Sequence, residues 1–421
     1  MSSSAGYGAA RVARGMQLSE PPSSSLSSSV KDREVLSMEG GGEASASASA
    51  SASARATSVK PPGFLDAVQA SRFVFSMCIV TEHSLFQCMG QVGTGIQKFG
   101  FLWTQLFFII SGFVLTYSTR DRGFPATVKG RVQFFLQRYL SVWFPYILVW
   151  VLTNAGRLAM HRHERVARGY LVPVEVLLLQ SWLPGFSMSD PYRDRVTNGP
   201  TWFLSTIVFH YALMPAIDDL LRGLKHWTGH LAVIAAAFAW SFVPFSVCAS
   251  LHPDWMSFYV MIYNPLLFLP TTVAAMAMGR VFLTYQRAVA QGTSAAATRI
   301  HRALAHTPVA TVLLVGAFAG IISDDAMAGD YYQSQFMFFS RHGFWLPLEL
   351  ALIWVLAGES RVDPVTWVLR RPLFVYLGGI GLNTYLLHFP LHAALKDAHP
   401  EQSWQEANRW CRSEGREEVD A

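Results

Sequence analysis

Residues 72–117 read RFVFSMCIVTEHSLFQCMGQVGTGIQKFGFLWTQLFFIISGFVLTY. Two apolar runs are joined by a short Gly-rich, mostly polar link. The first run carries Arg72, Glu82 and His83 in a segment otherwise fit for lipid. Ionisable groups at membrane depth are costly, so they mark a site or a water-filled cavity by default. Arg72 and His83 are 11 residues apart, close to three turns at about 100° per residue, so both project from one face of a helix. At about 1.5 Å per residue they stand about 16 Å apart along the axis and cannot touch. One face thus offers a fixed cation and, three turns away, a titratable base, a span suited to an elongated anion. The plainer reading is an arginine snorkelling to the headgroups and a histidine bonded to a neighbouring helix.

Outward from this stretch, the composition bounds the class. The 421 residues are 51% hydrophobic and 14% charged, where soluble domains carry roughly 25% charged residues. The mean hydropathy is +0.27 even with the polar N-terminal segment averaged in. Beyond that segment, apolar runs of about 17–25 residues recur, the length a spanning helix needs. The fold class expected is all-α: a polytopic transmembrane helical bundle, integral to a lipid bilayer. The isoelectric point near 9.0 then calls for no nucleic-acid partner, because basic loops set orientation in such proteins.

Three regions follow. Residues 1–63 hold SSSLSSS and ASASASASASA, which cannot bury enough apolar surface to fold and read as a disordered tail. No long apolar stretch opens the chain, so a cleaved secretory signal is not expected; Glu20, Asp32, Glu34, Glu39 and Glu43 argue against a transit peptide. Residues 64–396 form the membrane region, with helices expected near 66–86, 101–118, 136–156, 200–221, 230–249, 258–284, 308–323, 343–357 and 373–395, and a doubtful half-helix or tilted span at 171–184. Residues 397–421 read as a short charged tail. Cys78, Cys88, Cys248 and Cys411 have no zinc spacing and read as packing residues, and His161 and His163 in HRHER as a solvated loop. No metal site is expected.

The motifs together resemble the acyltransferase 3 family, multi-pass membrane acyltransferases that modify carbohydrates and lipids. The resemblance rests on Arg72, ten residues, then His83; on Phe107-Phe108-x-x-Ser111-Gly112-Phe113; on Arg138 in QRYLSVWFPY; on Trp202-Phe203-Leu204-Ser205 with Tyr211 and Pro215; and on Tyr385-x-x-His388-x-Pro390. It implies acyl-CoA as donor, a hydroxyl of a carbohydrate or lipid as acceptor, and no metal. His83 would be the general base and Arg72, with Arg138, would hold the donor's phosphates. His388 and the intramembrane carboxylate Glu349 would join the catalytic cavity. Ser111, Gly112, Trp202, Ser205, Tyr211 and Tyr385 would serve substrate binding or motif structure. For Ser111 and Gly112 close helix packing is the stronger reading, and Trp202 and Tyr211 also suit interfacial anchoring. The family often carries a glutamate near Ile207, which leaves that glutamate's role open in this chain.

The resemblance implies about ten spans, and ten is the expectation. Charge counting favours nine: if 171–184 does not span, the basic loops at 280–308 and 358–372 share the cytoplasmic side with the loop after the second helix. Two rivals remain at this stage. One is a transporter or lipid translocator, which should show inverted repeats; none is evident. The other is an inactive relative acting as a scaffold.

Overall fold

The structure, a computed structural model, describes residues 65–83, 100–159, 171–183, 198–243, 263–327, 343–358, 360 and 362–398. The Ser-rich segment 1–63 and residues 399–421 of the charged segment lie outside the described residues. So do the HRHER loop, Cys88, Cys248 and Cys411.

All described elements are helical. They are α1 (Asp66–His83), α2 (Gly100–Ser118), α3 (Val128–Ala159), α4 (Leu171–Val176), α5 (Trp202–Gly223), α6 (Trp227–Trp240), α7 (Pro265–Ala290), α8 (Ala295–His306), α9 (Val309–Met327), α10 (Leu346–Gly358), α11 (Pro364–Leu369) and α12 (Pro372–Ala398). Short 3-10 turns at Gln180–Trp182 and Gly199–Thr201 precede α5. By length and composition, α3, the stretch Gly199–Gly223 and α7 are long and apolar enough to cross a membrane. Leu102–Ser118, α6 and Leu346–Gly358 are shorter apolar helices.

Glycine permits two close helix contacts, because apolar helices approach most tightly where a side chain is missing. On α12, a Cβ at Gly378 would run into the Gln69 carbonyl of α1. Three residues on, Gly381 faces Arg72 and Ser76, and the Ser76 hydroxyl donates to the Gly381 carbonyl at 2.9 Å. Residue numbers rise together along the contact, so the first and last of these helices run parallel. The second contact joins α2 to α7. A Cβ at Gly112 would meet the Thr272 carbonyl at 2.9 Å, and one at Gly279 would meet Thr116 at 3.1 Å.

Ion pairs tie the other ends together. Asp218 of α5 is fully buried and accepts from Arg222 Nε at 2.7 Å and from the Arg280 guanidinium of α7. Arg131 of α3 pairs with the neighbouring Asp219. Gly123, at φ +71°, passes so close to the Arg222 guanidinium that a Cβ there would lie 2.6 Å from it. The basic loop between α2 and α3 therefore sits beside the end of α5. Asp363 similarly caps α11 through the Thr366 N–H at 2.9 Å while holding the Thr311 N–H of α9 at 3.0 Å.

Among the described residues 171–183 no helix is long enough to cross a membrane. Only six residues are α-helical, about 9 Å of rise, and the chain then turns at Leu178, whose φ is +57°. Instead α4 lies against α3, where Trp143 Nε1 donates to the Val176 carbonyl (2.8 Å), Tyr146 to the Glu175 carbonyl (3.0 Å) and Trp150 Nε1 to the Glu175 carboxylate (2.6 Å).

Candidate active site

The parallel packing of α1 and α12 brings two of the expected residues together. The His83 and His388 rings meet edge to face with centroids 5.2 Å apart, and Phe389 closes on His83 at 6.0 Å. His388 is 8% exposed. Its Nδ1 lies against the Tyr385 carbonyl one turn back. A carbonyl only accepts, so Nδ1 carries the proton, and in the neutral ring Nε2 holds a bare lone pair. That Nε2 is buried and has no hydrogen-bond partner among the described residues. His83 is half-buried.

Proline explains what lies beside the histidines. Pro390 has no N–H, so the Leu386 carbonyl four residues earlier loses its helical donor. Asn198 supplies a replacement, its Nδ2 donating to Leu386 at 3.0 Å. The Tyr385 hydroxyl donates to the Pro200 carbonyl two residues further on. Thr201 Oγ1 donates back to the Asn198 carbonyl at 2.6 Å, and Gln180 Nε2 donates to the Thr201 carbonyl at 2.9 Å. These bonds fix both amides with nitrogen towards a carbonyl. Their oxygens, Asn198 Oδ1 and Gln180 Oε1, are left buried without a partner among the described residues. Ser205 accepts from the Ser181 N–H at 3.3 Å and Ser181 donates to the Trp202 carbonyl at 2.7 Å, so Ser205 anchors the turn.

Arg72 lies at the other end of the same helix. It is within electrostatic range of the Tyr211 phenol of α5 and the Arg138 guanidinium of α3. Arg138 is exposed and sits over the Phe134 ring at 5.8 Å. Between the two ends stand Phe107 of α2, Phe203 of α5 and Tyr385 of α12, with centroids 5.7–6.5 Å apart.

Other expected residues fall elsewhere. Gly112 is a packing residue against α7. Trp202 stacks among Tyr263, Phe268 and Phe108. Ser111 is half-buried, and its hydroxyl bonds to no other described residue. Glu349 is 3% exposed, and neither carboxylate oxygen is hydrogen-bonded, so no such bond joins it to His83 or His388. Ile207 is 2% exposed among apolar neighbours. His210 uses both ring nitrogens, towards the Pro265 carbonyl at 2.9 Å and the Thr272 hydroxyl at 2.8 Å. Residue-by-residue reading missed Gln180 and Asn198. Their one local signal is a side-chain amide at the edge of an apolar run.

The sequence that sets an arginine–histidine face on α1 and a histidine on α12 belongs to a known family. The acyltransferase 3 model, described as an acyltransferase domain, matches residues 65–411, and the chain belongs to that family. Among curated proteins it is similar to acyltransferase MdmB of Streptomyces mycarofaciens, 31% identical over 177 residues, which is 39% of this chain and 42% of that protein. The match thus spans less than half of the relative's length. No solved structure matches the chain.

Proposed function

We propose that this chain is a membrane-embedded enzyme that moves an acyl group, acetyl foremost, from acyl-CoA to a hydroxyl of a carbohydrate or lipid acceptor. The observation that carries the reading is the His83–His388 pair, ring centroids 5.2 Å apart, with His83 on the helix that also bears Arg72, itself within electrostatic range of Arg138. Two cations held near each other repel unless an anion lies between them, and guanidinium groups suit phosphate. The phosphates of coenzyme A would sit there, and the thioester would reach towards the histidines.

In the step, an imidazole takes the acceptor's O–H proton as that oxygen bonds to the thioester carbonyl carbon. The C–S bond then breaks, and the departing thiolate regains the proton from the imidazolium. The products are an ester and free coenzyme A. His83 is the base that the motif assigns, and His388 is the ring whose tautomer the fold fixes. The bare Asn198 and Gln180 oxygens support an acceptor that donates hydroxyl hydrogens, since each buried unpaired acceptor costs about 1–3 kcal/mol until a donor arrives.

Several features support nine membrane crossings, by α1, α2, α3, α5, α6, α7, α9, α10 and α12. Parallel first and last spans require an odd number. The loops then on the side of the α1 N-terminus carry Arg120, Arg122, Lys225, Arg299, Arg302, Arg370 and Arg371, as cytoplasmic loops do. Arg72 lies nearer that side and the histidines nearer the other, which fits a cytoplasmic donor.

The test is transfer of a labelled acetyl group from acetyl-CoA by the purified protein, with His83→Ala and His388→Ala beside it. Loss of transfer in both variants supports the reading; transfer equal to wild type removes the pair from the mechanism. Ile207, set in an apolar core, favours a second reading, a member that keeps the fold without the reaction. Absence of any acetyl-CoA turnover by wild type would favour it.

A further inference from the structure

A cavity of about 300 Å³ lies among five helices on the side of the α1 N-terminus. Val74 and Phe75 of α1, Leu314 of α9, Leu352 of α10, Val368 of α11 and Phe374 of α12 form its wall. Ser71 also reaches it, but its hydroxyl is engaged with the Val68 carbonyl at 2.9 Å in its own helix. Water finds no partner in such a space, and the volume is that of a small-ligand site.

The chain around the cavity is charged in a particular way. Leu369 and Phe374 both line it, and between them lie Arg370 and Arg371, both exposed. The Arg371 guanidinium stands 3.6 Å from the centroid of the Trp367 ring, and Trp367 is 55% exposed. Tyr376 and Leu373 are exposed beside it. Exposed Trp and Tyr next to arginine are the side chains of a membrane–water interface. Paired arginines there attract anionic headgroups.

We propose that this cavity is a binding site for an anionic phospholipid of the adjoining leaflet. One acyl chain fills the all-carbon cavity and the phosphate rests against Arg370 and Arg371. Val74, at the cavity wall, lies about 160° around α1 from Arg72, and the proposal does not depend on acyl transfer.

The experiment uses the full chain in detergent, with native mass spectrometry and thermal melting in the presence of phosphatidylglycerol, phosphatidylcholine, palmitoyl-CoA or glycerol 3-phosphate. Phosphatidylglycerol is expected to stay bound and raise Tm at concentrations at least tenfold below phosphatidylcholine, with no effect of the tail-less phosphate. Arg370→Gln/Arg371→Gln should abolish that preference. Val368→Trp should remove retention of both lipids, and Val368→Phe serves the same purpose should the tryptophan variant not fold. Equal retention by wild type and the double-glutamine variant, undiminished retention by the cavity-filled variant, or palmitoyl-CoA outcompeting phosphatidylglycerol would each overturn the proposal.

Discussion

Two buried histidines in this molecule have opposite fates. His210, fully buried between α5 and α7, spends both ring nitrogens on Pro265 and Thr272. His388, buried between α12 and α1, spends one and leaves Nε2 bare. Their surroundings repeat the contrast. About two turns further along α5 the carboxylate of Asp218 is held by two arginines. Near His388 the oxygens of Asn198 and Gln180 have no donor. Polar groups inside a helical bundle cost free energy unless bonded. A cluster whose acceptors are held therefore reads as structure, and a cluster with acceptors left open reads as a place for a ligand.

The contrast can be broken by substitution. The largest effect is expected at the open end. His83→Ala and His388→Ala should each lower acetyl transfer by about 10²–10⁴-fold, the range for a general base. Melting temperature should barely move, and the double variant should be little worse than either single one. Asp218→Ala comes next. It leaves Arg280 buried without its partner, at a cost of about 3–5 kcal/mol, and the check is an early thermal melt with unchanged turnover per folded molecule. His210→Phe should cost about 1–3 kcal/mol by orphaning the Thr272 hydroxyl and the Pro265 carbonyl, again with kcat unchanged. A fall in kcat there as large as at His388 would erase the distinction. The smallest effect is expected from Arg138→Gln: a KM for acetyl-CoA raised about tenfold or less, because an exposed cation contributes about 1 kcal/mol or less, with the acceptor KM unmoved.

Much of the helical order was legible in the chain, because apolar runs report burial or lipid directly. The shared face of Arg72 and His83 followed from helical spacing alone, and α1 is indeed one unbroken helix over both. The meeting of His83 with His388 was only an expectation, since 305 residues separate them and no local rule measures such a contact. The limits lie where tertiary structure overrides local pattern. LVPVEVLLLQ is apolar enough to suggest a span, yet the turn at Leu178 and the tryptophan and tyrosine bonds from α3 hold it to six helical residues. Asn198 and Gln180 were invisible because their value comes from a carbonyl that Pro390 orphans on another helix. Glu349 shows the reverse: its residue type suggested the cavity, but no hydrogen bond carries it to either histidine.

The parallel pairing of α1 with α12 has a consequence for biogenesis. Chains are made from the N-terminus and fold as they emerge. Of the two, the helix bearing His83 is made first, and its counterpart only after all the helices between them. On the proposed mechanism, a chain stopped before Pro372 keeps His83, lacks His388 and should transfer no acyl group.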